Sequence, residues 1–346
     1  MPSTIKDVAK KAGVSIATVS LVLHDNKRIS PATRKKVQNA ITKLNYYPTR
    51  SARGLVSRTS GNIGFILTDD HFSRSEPFYT KIFLGTEFQA RENEYYILLT
   101  TIPSKNGSAN YIPRFVLEKN VDGIVLAGKV PQNFLEKLIT FNIPLVFIDY
   151  LPSQGKFPAV MIDNFDGGYR ATHHLIQCNH TKIAFIAGDI THPSISERYQ
   201  GYKAAHENSK IPVDNKWVVI DELYPSRESG YSATQKLTNF SKDFTAIFAC
   251  NDAMAIGALQ FLKEHDVRVP EEISIIGFDD VEADLSIDPP LTTMAVPKVD
   301  MGIEAIKLML DMLINKSTLP RKVLMPAKLI VRKSTCNYKN HELIKY

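Results

Sequence analysis

Apolar residues near the start of the chain recur at the spacing of an α-helix. Ile5, Val8, Ala9 and Ala12 share one face. Thr4 and Asp7 form a capping box, a hydroxyl before the first turn and a carboxylate three residues on. Gly13 stands where a left-handed residue ends a helix. Ser15 is placed to cap a second helix whose inward face is Val19, Val22 and Leu23. Ser30 and Pro31 give a third helix its N-cap and first-turn proline, and Val37, Ala40, Ile41 and Leu44 follow at i, i+3, i+4 and i+7. That helix ends at Asn45-Tyr46-Tyr47-Pro48, since Pro48 disfavours helical backbone at Tyr47. Two short helices joined by a glycine-containing turn are the helix-turn-helix geometry, in which the second helix enters the DNA major groove. Residues 49–61 are polar and basic, interrupted by Leu55 and Val56 only, and read as a linker.

From Asn62 the pattern changes to short apolar runs separated by helical stretches: 63–67, 96–99, 123–126, 145–148, 160–162, 183–187, 218–220, 246–249 and 273–276. Continuous apolar strands alternating with helices mean parallel sheets covered on both faces. About nine or ten strands exceed one ordinary α/β sheet and predict two doubly wound sub-domains. Several strands end in polar residues: Thr68-Asp69, Asp149, Asp163-Asn164, Asn251-Asp252 and Asp279-Asp280. Ligands in open α/β sheets bind beyond the carboxyl ends of strands, so these endings together predict a polar small-molecule cleft. For Asp252 and Asp280 helix capping is the preferred role.

Charge sharpens the division. Residues 1–60 hold twelve Lys and Arg against Asp7 and Asp25, a net +10, which leaves −4 for the rest of a chain whose total is +6. A basic head on a mildly acidic body is the footprint of a module that binds phosphate backbone. Cys178, Cys250 and Cys336 are odd in number and widely spaced, which suits reduced thiols rather than a disulfide framework. The polar, charged start offers no secretory apolar region, and no apolar run approaches a membrane span; the expectation is a cytoplasmic protein, nucleoid-associated when bound to DNA. His173, His174, Cys178 and His180 lack metal-ligand spacing and read as solvent-facing or capping groups, so no metal and no cofactor is expected. There is no phosphate-cradling glycine loop, no nucleophile elbow and no Ser/His/Asp spacing, which leaves an enzyme without support.

The residues resemble the lactose-repressor and galactose-repressor (LacI/GalR) family of bacterial transcription regulators from about Thr4 to Lys333. The head carries the resemblance in Thr4-Ile5-Lys6-Asp7-Val8-Ala9, Ala12-Gly13-Val14-Ser15, Thr18-Val19-Ser20, residues 30–37 and Leu44-Asn45-Tyr46-Tyr47-Pro48. The body carries it in residues 251–257, Ile276-Gly277-Phe278-Asp279-Asp280 and Pro289-Pro290-Leu291-Thr292-Thr293. The resemblance implies a homodimer on a pseudo-palindromic double-stranded operator. It implies an all-α helix-turn-helix head and hinge (1–60, hinge about 49–58), then an effector-binding and dimerisation core (61–340) of two doubly wound parallel-sheet sub-domains, like a periplasmic binding protein. Mapped on this chain, one sub-domain is about 61–162 plus 292–322 and the other about 163–291 plus 323–340. The halves of such a core rotate on ligand binding. The short polar tail after Lys333 has no leucine heptads to make a tetramer.

By the same resemblance the base-reading positions are Ile16, Ala17 and Leu21. None is the Arg, Gln or Asn that bidentate readout of guanine or adenine uses. Readout would then lean on hydroxyls and on apolar contact with thymine methyls, with part of the specificity passing to Arg28 and the linker. Thr4, Ile5, Ser15, Thr18, Ser20, Ser30 and Thr33 complete the candidate DNA-facing set. Ala52, Arg53 and Leu55 match the family's hinge helix, where Leu55 would wedge into the minor groove with Arg53 beside it. Gly54 is a poor helix former, so the hinge is expected to order on DNA only.

Effector positions fall on Phe78, Tyr79, Asp149, Arg198, Asn251 and Asp279, with Asp163 and Tyr224 as neighbours by strand-end position. Carboxylates, an amide and a guanidinium ringed by aromatic faces suit a sugar. A purine stacked on Phe78 and Tyr79 is the alternative effector, and a protein co-repressor docked on the core the alternative mode. A sugar-binding receptor without DNA function is the reading outside the class, and the basic head opposes it.

Overall fold

The capping box is formed as the sequence predicts. The protein's structure, a computed structural model, describes residues 3–23, 26, 28–46, 59–72, 78–103, 111–153, 156–241, 243–317 and 319–338. The backbone N–H of Thr4 donates to Asp7 Oδ2 at 2.8 Å and the N–H of Asp7 donates to Thr4 Oγ1 at 3.4 Å. Helix α1 (Ile5–Ala12) ends on Gly13 with φ +67°. Helix α2 (Ile16–Leu23) starts at Ser15, whose hydroxyl accepts the Thr18 N–H at 3.1 Å. Helix α3 (Pro31–Leu44) is capped by Ser30 and closes on left-handed Asn45. Val8, Ala9, Val19, Val22, Val37, Ala40 and Tyr46 form a small core of their own, with Leu23 half-buried against it. These helices belong to one of two compact units, residues 1–60; the other is 61–346. The hinge residues Ala52, Arg53 and Leu55 lie outside the described residues.

Among the described residues the second unit has twelve strands in two six-stranded sheets. The first has the order β11-β5-β4-β3-β1-β2 and is parallel throughout: β1 (Asn62–Thr68), β2 (Tyr96–Ile102), β3 (Gly123–Ala127), β4 (Leu145–Ile148), β5 (Ala159–Ile162) and β11 (Lys322–Met325). The second has the order β12-β10-β9-β8-β6-β7, from β6 (Ile183–Ile186), β7 (Val218–Val219), β8 (Ala246–Ala249), β9 (Ser274–Asp279), β10 (Thr292–Ala295) and β12 (Lys328–Ile330). Among the described residues its one antiparallel pairing is β10 with β12. All seven residues of β1 are buried, as are all of β3, β4, β5, β6 and β8, which is why they read as unbroken apolar runs.

The sheets exceed the nine or ten strands expected because β10, β11 and β12 are three or four residues long and each carries polar or charged positions that hide it as an apolar run. Thr292 and Thr293 are fully buried yet polar, and β11 and β12 are half-exposed edge strands. Pairing also moves two boundaries of the expected division. Residues 292–295 pair with β9 in the second sheet and residues 322–325 with β5 in the first. The chain therefore crosses between sheets at 162–163, 295–298 and 325–328, not at 291–292 and 322–323.

Two helix pairs support the cleft. Helices α8 (Asn164–Gln177) and α9 (Pro193–Asn208) pack so closely that a Cβ on Gly168 would collide with the Arg198 carbonyl, and one on Gly201 with the Phe165 carbonyl. Helices α5 (Phe78–Glu92) and α12 (Lys298–Asn315) meet in the same way at Gly85 and Gly302. His180 is buried rather than solvent-facing, bonded to the hydroxyls of Thr245 (2.9 Å) and Ser274 (3.0 Å). His174 meets Thr335 at 3.1 Å and His173 stacks on Tyr169. Cys178, Cys250 and Cys336 are free thiols. Among the described residues no helix is long and apolar enough to cross a membrane.

Candidate functional site

In the head, the candidate DNA-facing residues divide by what their side chains already do. The hydroxyls of Ser15 and Thr18 lie 2.9 Å apart, and the Ser30 hydroxyl donates to Thr33 Oγ1 at 2.9 Å. Thr4 donates to the Asp7 carboxylate at 2.7 Å, which holds that carboxyl below its ordinary range. Ile5 packs against the head's core. Arg28 is exposed, and its backbone N–H donates to Asn26 Oδ1 at 2.9 Å. Ile16 and Leu21 are large apolar residues with 44% and 41% exposure, and Ala17 is exposed beside them. Val19 and Val22 fill the inner face, as the periodicity predicts.

In the second unit a cleft of about 670 Å³ opens at the carboxyl ends of strands from both sheets. From the first sheet's side come Phe78, Tyr79, Lys129 and Asp149; from the second come Asp189, His192, Arg198, Tyr224, Asn251 and Asp279. Tyr79 donates its hydroxyl to Asp149 Oδ2 at 2.9 Å, and Phe78 meets the Tyr79 ring edge-on at 5.0 Å. Asp149 holds a left-handed backbone, φ +61°, just after β4.

Arg198 is held in the cleft by three partners. Its Nε donates to Asn164 Oδ1 at 2.8 Å and its Nη1 to the Cys250 carbonyl at 2.6 Å. Its Nη2 faces Asp279 at 3.7 Å. The close approach of α8 and α9 at Gly168 is what brings Arg198 beside Asn164. Asp279 and Asp280 both have positive φ, +123° and +58°. This turn gives their carbonyls to the buried ammonium of Lys298. Burial raises the Asp279 carboxyl to about 7 against the pull of Arg198 and Lys298, with Asp252 and Asp149 pushing the same way as burial. Desolvation likewise lowers the Lys298 ammonium.

Seven of the eight expected effector positions line the cleft, and Asp163 does not. Asp163 instead caps α8, accepting the Asp166 N–H at 3.0 Å. Asn251 lines the cleft, but its amide also caps helix α11 (Asp252–Glu264) through the Met254 N–H and donates to the Pro225 carbonyl. Asp252 and Asp280 are not helix caps. Asp252, fully buried, accepts the Thr293 hydroxyl at 2.6 Å and the Val281 N–H at 3.2 Å. Asp280 pairs with Arg332. Sequence reasoning missed Lys129, Asp189 and His192. Strand-end position could have found the first two, since β3 runs into Gly128-Lys129 and β6 into Gly188-Asp189. Lys298 carries no such signal. Among the described residues, no group of three or more His, Cys, Asp or Glu could hold a metal ion.

The sequence model described as bacterial regulatory proteins, lacI family, matches residues 4–49, and that of a periplasmic binding protein-like domain matches 172–335. The HTH-type transcriptional repressor PurR of Haemophilus influenzae is 35% identical over 337 residues, covering 96% of this chain and 98% of its own. Among solved structures, the lac repressor dimer bound to operator and the anti-inducer ONPF is similar with a TM-score of 0.80 and 26% identity, over 97% of this chain and 100% of that one. The complex of the transcriptional regulator CelR with cellobiose gives a TM-score of 0.74 and 29% identity, over 96% and 99%.

Proposed function

The chain belongs to the lacI family of bacterial regulatory proteins, and on that premise we propose a DNA-binding transcriptional repressor whose operator affinity is set by a small molecule in the cleft. The observation that carries the reading is the pairing of two sites in one chain. A basic head presents the outer face of its second helix, and a separate unit holds a polar cleft at the strand ends of two sheets joined by three crossings. In this reading the protein works as a cytoplasmic homodimer on a pseudo-palindromic operator. Ligand contact with residues from both sheets reorients the halves and so biases the hinge.

A sugar is the effector the cleft suits best. The carboxylates of Asp149 and Asp279 accept hydroxyl donors, the Arg198 guanidinium donates, and Phe78, Tyr79 and Tyr224 supply aromatic faces. The CelR–cellobiose complex supports this class. A purine is the second reading, favoured by the edge-on pair of Phe78 and Tyr79, against which a base can pack.

A thermal-shift screen of sugars and purines, followed by operator binding with and without each hit, tests both. A sugar that raises the melting temperature and changes operator affinity supports the first reading. A purine that does so in the absence of any sugar hit replaces it. Ligand binding with no effect on DNA affinity refutes effector control.

A further inference from the structure

We propose that helix α2 recognises its DNA site through the C5-methyl groups of thymines, so that the half-site beneath it is specified by A·T pairs rather than by hydrogen-bonded guanine. This rests on the reading of the head as a DNA-binding module and names what that module selects.

The three helices of the head treat solvent differently. The exposed residues of α1 are Lys6, Asp7, Lys10 and Lys11, all charged. On α3, lysines at 35, 36 and 43 share the exposed face with Gln38, Asn39 and Thr42, and the exposed apolar residues, Pro31 and Ala32, are confined to its first turn. On α2 the exposed residues are Ile16, Ala17 and Leu21, and the helix has no charged residue in its first or last turn. At about 100° per residue, Ile16, Ser20, Ala17 and Leu21 follow one another across a single outward arc of roughly 140°. Three of those four are apolar. They are not surplus core, because Val19 and Val22 already close the inner side.

An apolar face left in water on a helix marks a surface meant to be covered. Charge names the cover: residues 1–60 carry a net +10, which draws the face towards a polyanion. On a base-pair edge in the major groove the apolar feature is the thymine methyl, and the other features are hydrogen-bond donors and acceptors. The hydroxyls of Ser15 and Thr18 at the start of α2 lie within hydrogen-bond distance of each other. Beside the single hydroxyl of Ser20, what α2 has left to offer the groove is the methyl, sec-butyl and isobutyl surface of Ala17, Ile16 and Leu21.

The experiment enriches a randomised duplex pool with the full-length protein, then replaces each thymine of the selected half-site by deoxyuridine, which removes the methyl and nothing else. The expected result is a thymine-rich half-site and a loss of roughly fourfold in affinity per thymine under α2, the scale of burying one methyl group. Leu21→Arg, at an exposed position, should shift one selected base to guanine, with the melting temperature checking the fold. Selected sites with guanine under α2 and no deoxyuridine penalty would overturn the thymine reading while leaving a sequence-specific repressor in place. No enrichment of any sequence would overturn both. If Ile16→Ser and Leu21→Ser weaken self-association and leave base preference unchanged, the face belongs to a protein contact and the proposal fails.

Discussion

The guanidinium carbon of Arg198 lies 3.6 Å from the centroid of the Phe278 ring, so the residue before Asp279 in β9 carries the cation that faces Asp279. Two further bonds, to Asn164 Oδ1 and the Cys250 carbonyl, hold it there. Both acceptors belong to fully buried residues. Arg198→Lys offers one ammonium where a planar fork served three partners. Leaving a buried acceptor unmet costs about 1–3 kcal/mol. The variant should therefore denature at lower urea with an unchanged m-value, and a midpoint equal to that of the unmodified protein would contradict this account.

Gly201→Ala should destabilise, against the usual rule. In an ordinary helix interior this change stabilises by up to about 1 kcal/mol. Here the new Cβ meets the Phe165 carbonyl and the Tyr169 nitrogen, both backbone atoms that cannot swing aside. Forcing the helices apart costs about 1–3 kcal/mol. The sign of the change in melting temperature decides the matter.

Asp279 should make the protein less stable as the pH rises through the weakly acidic range. Its carboxyl titrates at about 7 in the fold, because burial outweighs the neighbouring cations. An unfolded aspartate titrates near 3.9. Between these values the folded state binds the extra proton, so the stability from this group is complete below about pH 4 and lost on the way to 7. Asp279→Asn cannot ionise. Its stability relative to the unmodified protein should climb between pH 4 and 7.5 in denaturation curves taken at stepped pH, and a flat or falling difference would refute the burial argument.

His180 should produce the opposite slope. Burial lowers its imidazole to about 4, while an unfolded histidine titrates near 6.5. The unfolded chain binds the proton first, so the contribution is present above about pH 6.5 and lost as the pH falls toward 4. His180→Gln retains polar atoms for Thr245 and Ser274 without the titration, and should show a shallower acid limb. An unchanged acid limb would mean that His180 is not the group responsible.

What could be read from the residues alone follows the range of the interactions. Capping is local: Thr4 with Asp7, Ser15 with Thr18 and Ser30 with Thr33 are each three positions apart, and all were legible. The unbroken apolar runs of β1, β3 and β8 announce burial on both faces by composition. Asp252 and Asp280 stood beside helices and read as caps, yet their partners Thr293 and Arg332 lie 41 and 52 positions away. No local pattern reports such a pair. Asp163 shows the reverse, a carboxylate at a strand end whose local cap was its actual role. In the cleft, strand-end position recovered Asp149, Asn251 and Asp279. Lys298 escaped because it begins a helix belonging to one sheet while its ammonium serves carbonyls in the other.

The third crossing has a consequence for how the protein is made. β11 is an edge strand of the first sheet and β12 an edge strand of the second, and they are separated by residues 326 and 327 only. On the ribosome, both sheets therefore wait for the same short stretch of nascent chain. Until residue 325 emerges for the first sheet and residue 330 for the second, each has an unzipped margin of backbone donors and acceptors. The two halves can be finished only within a few residues of each other, although the head, whose core is complete by residue 46, can fold long before.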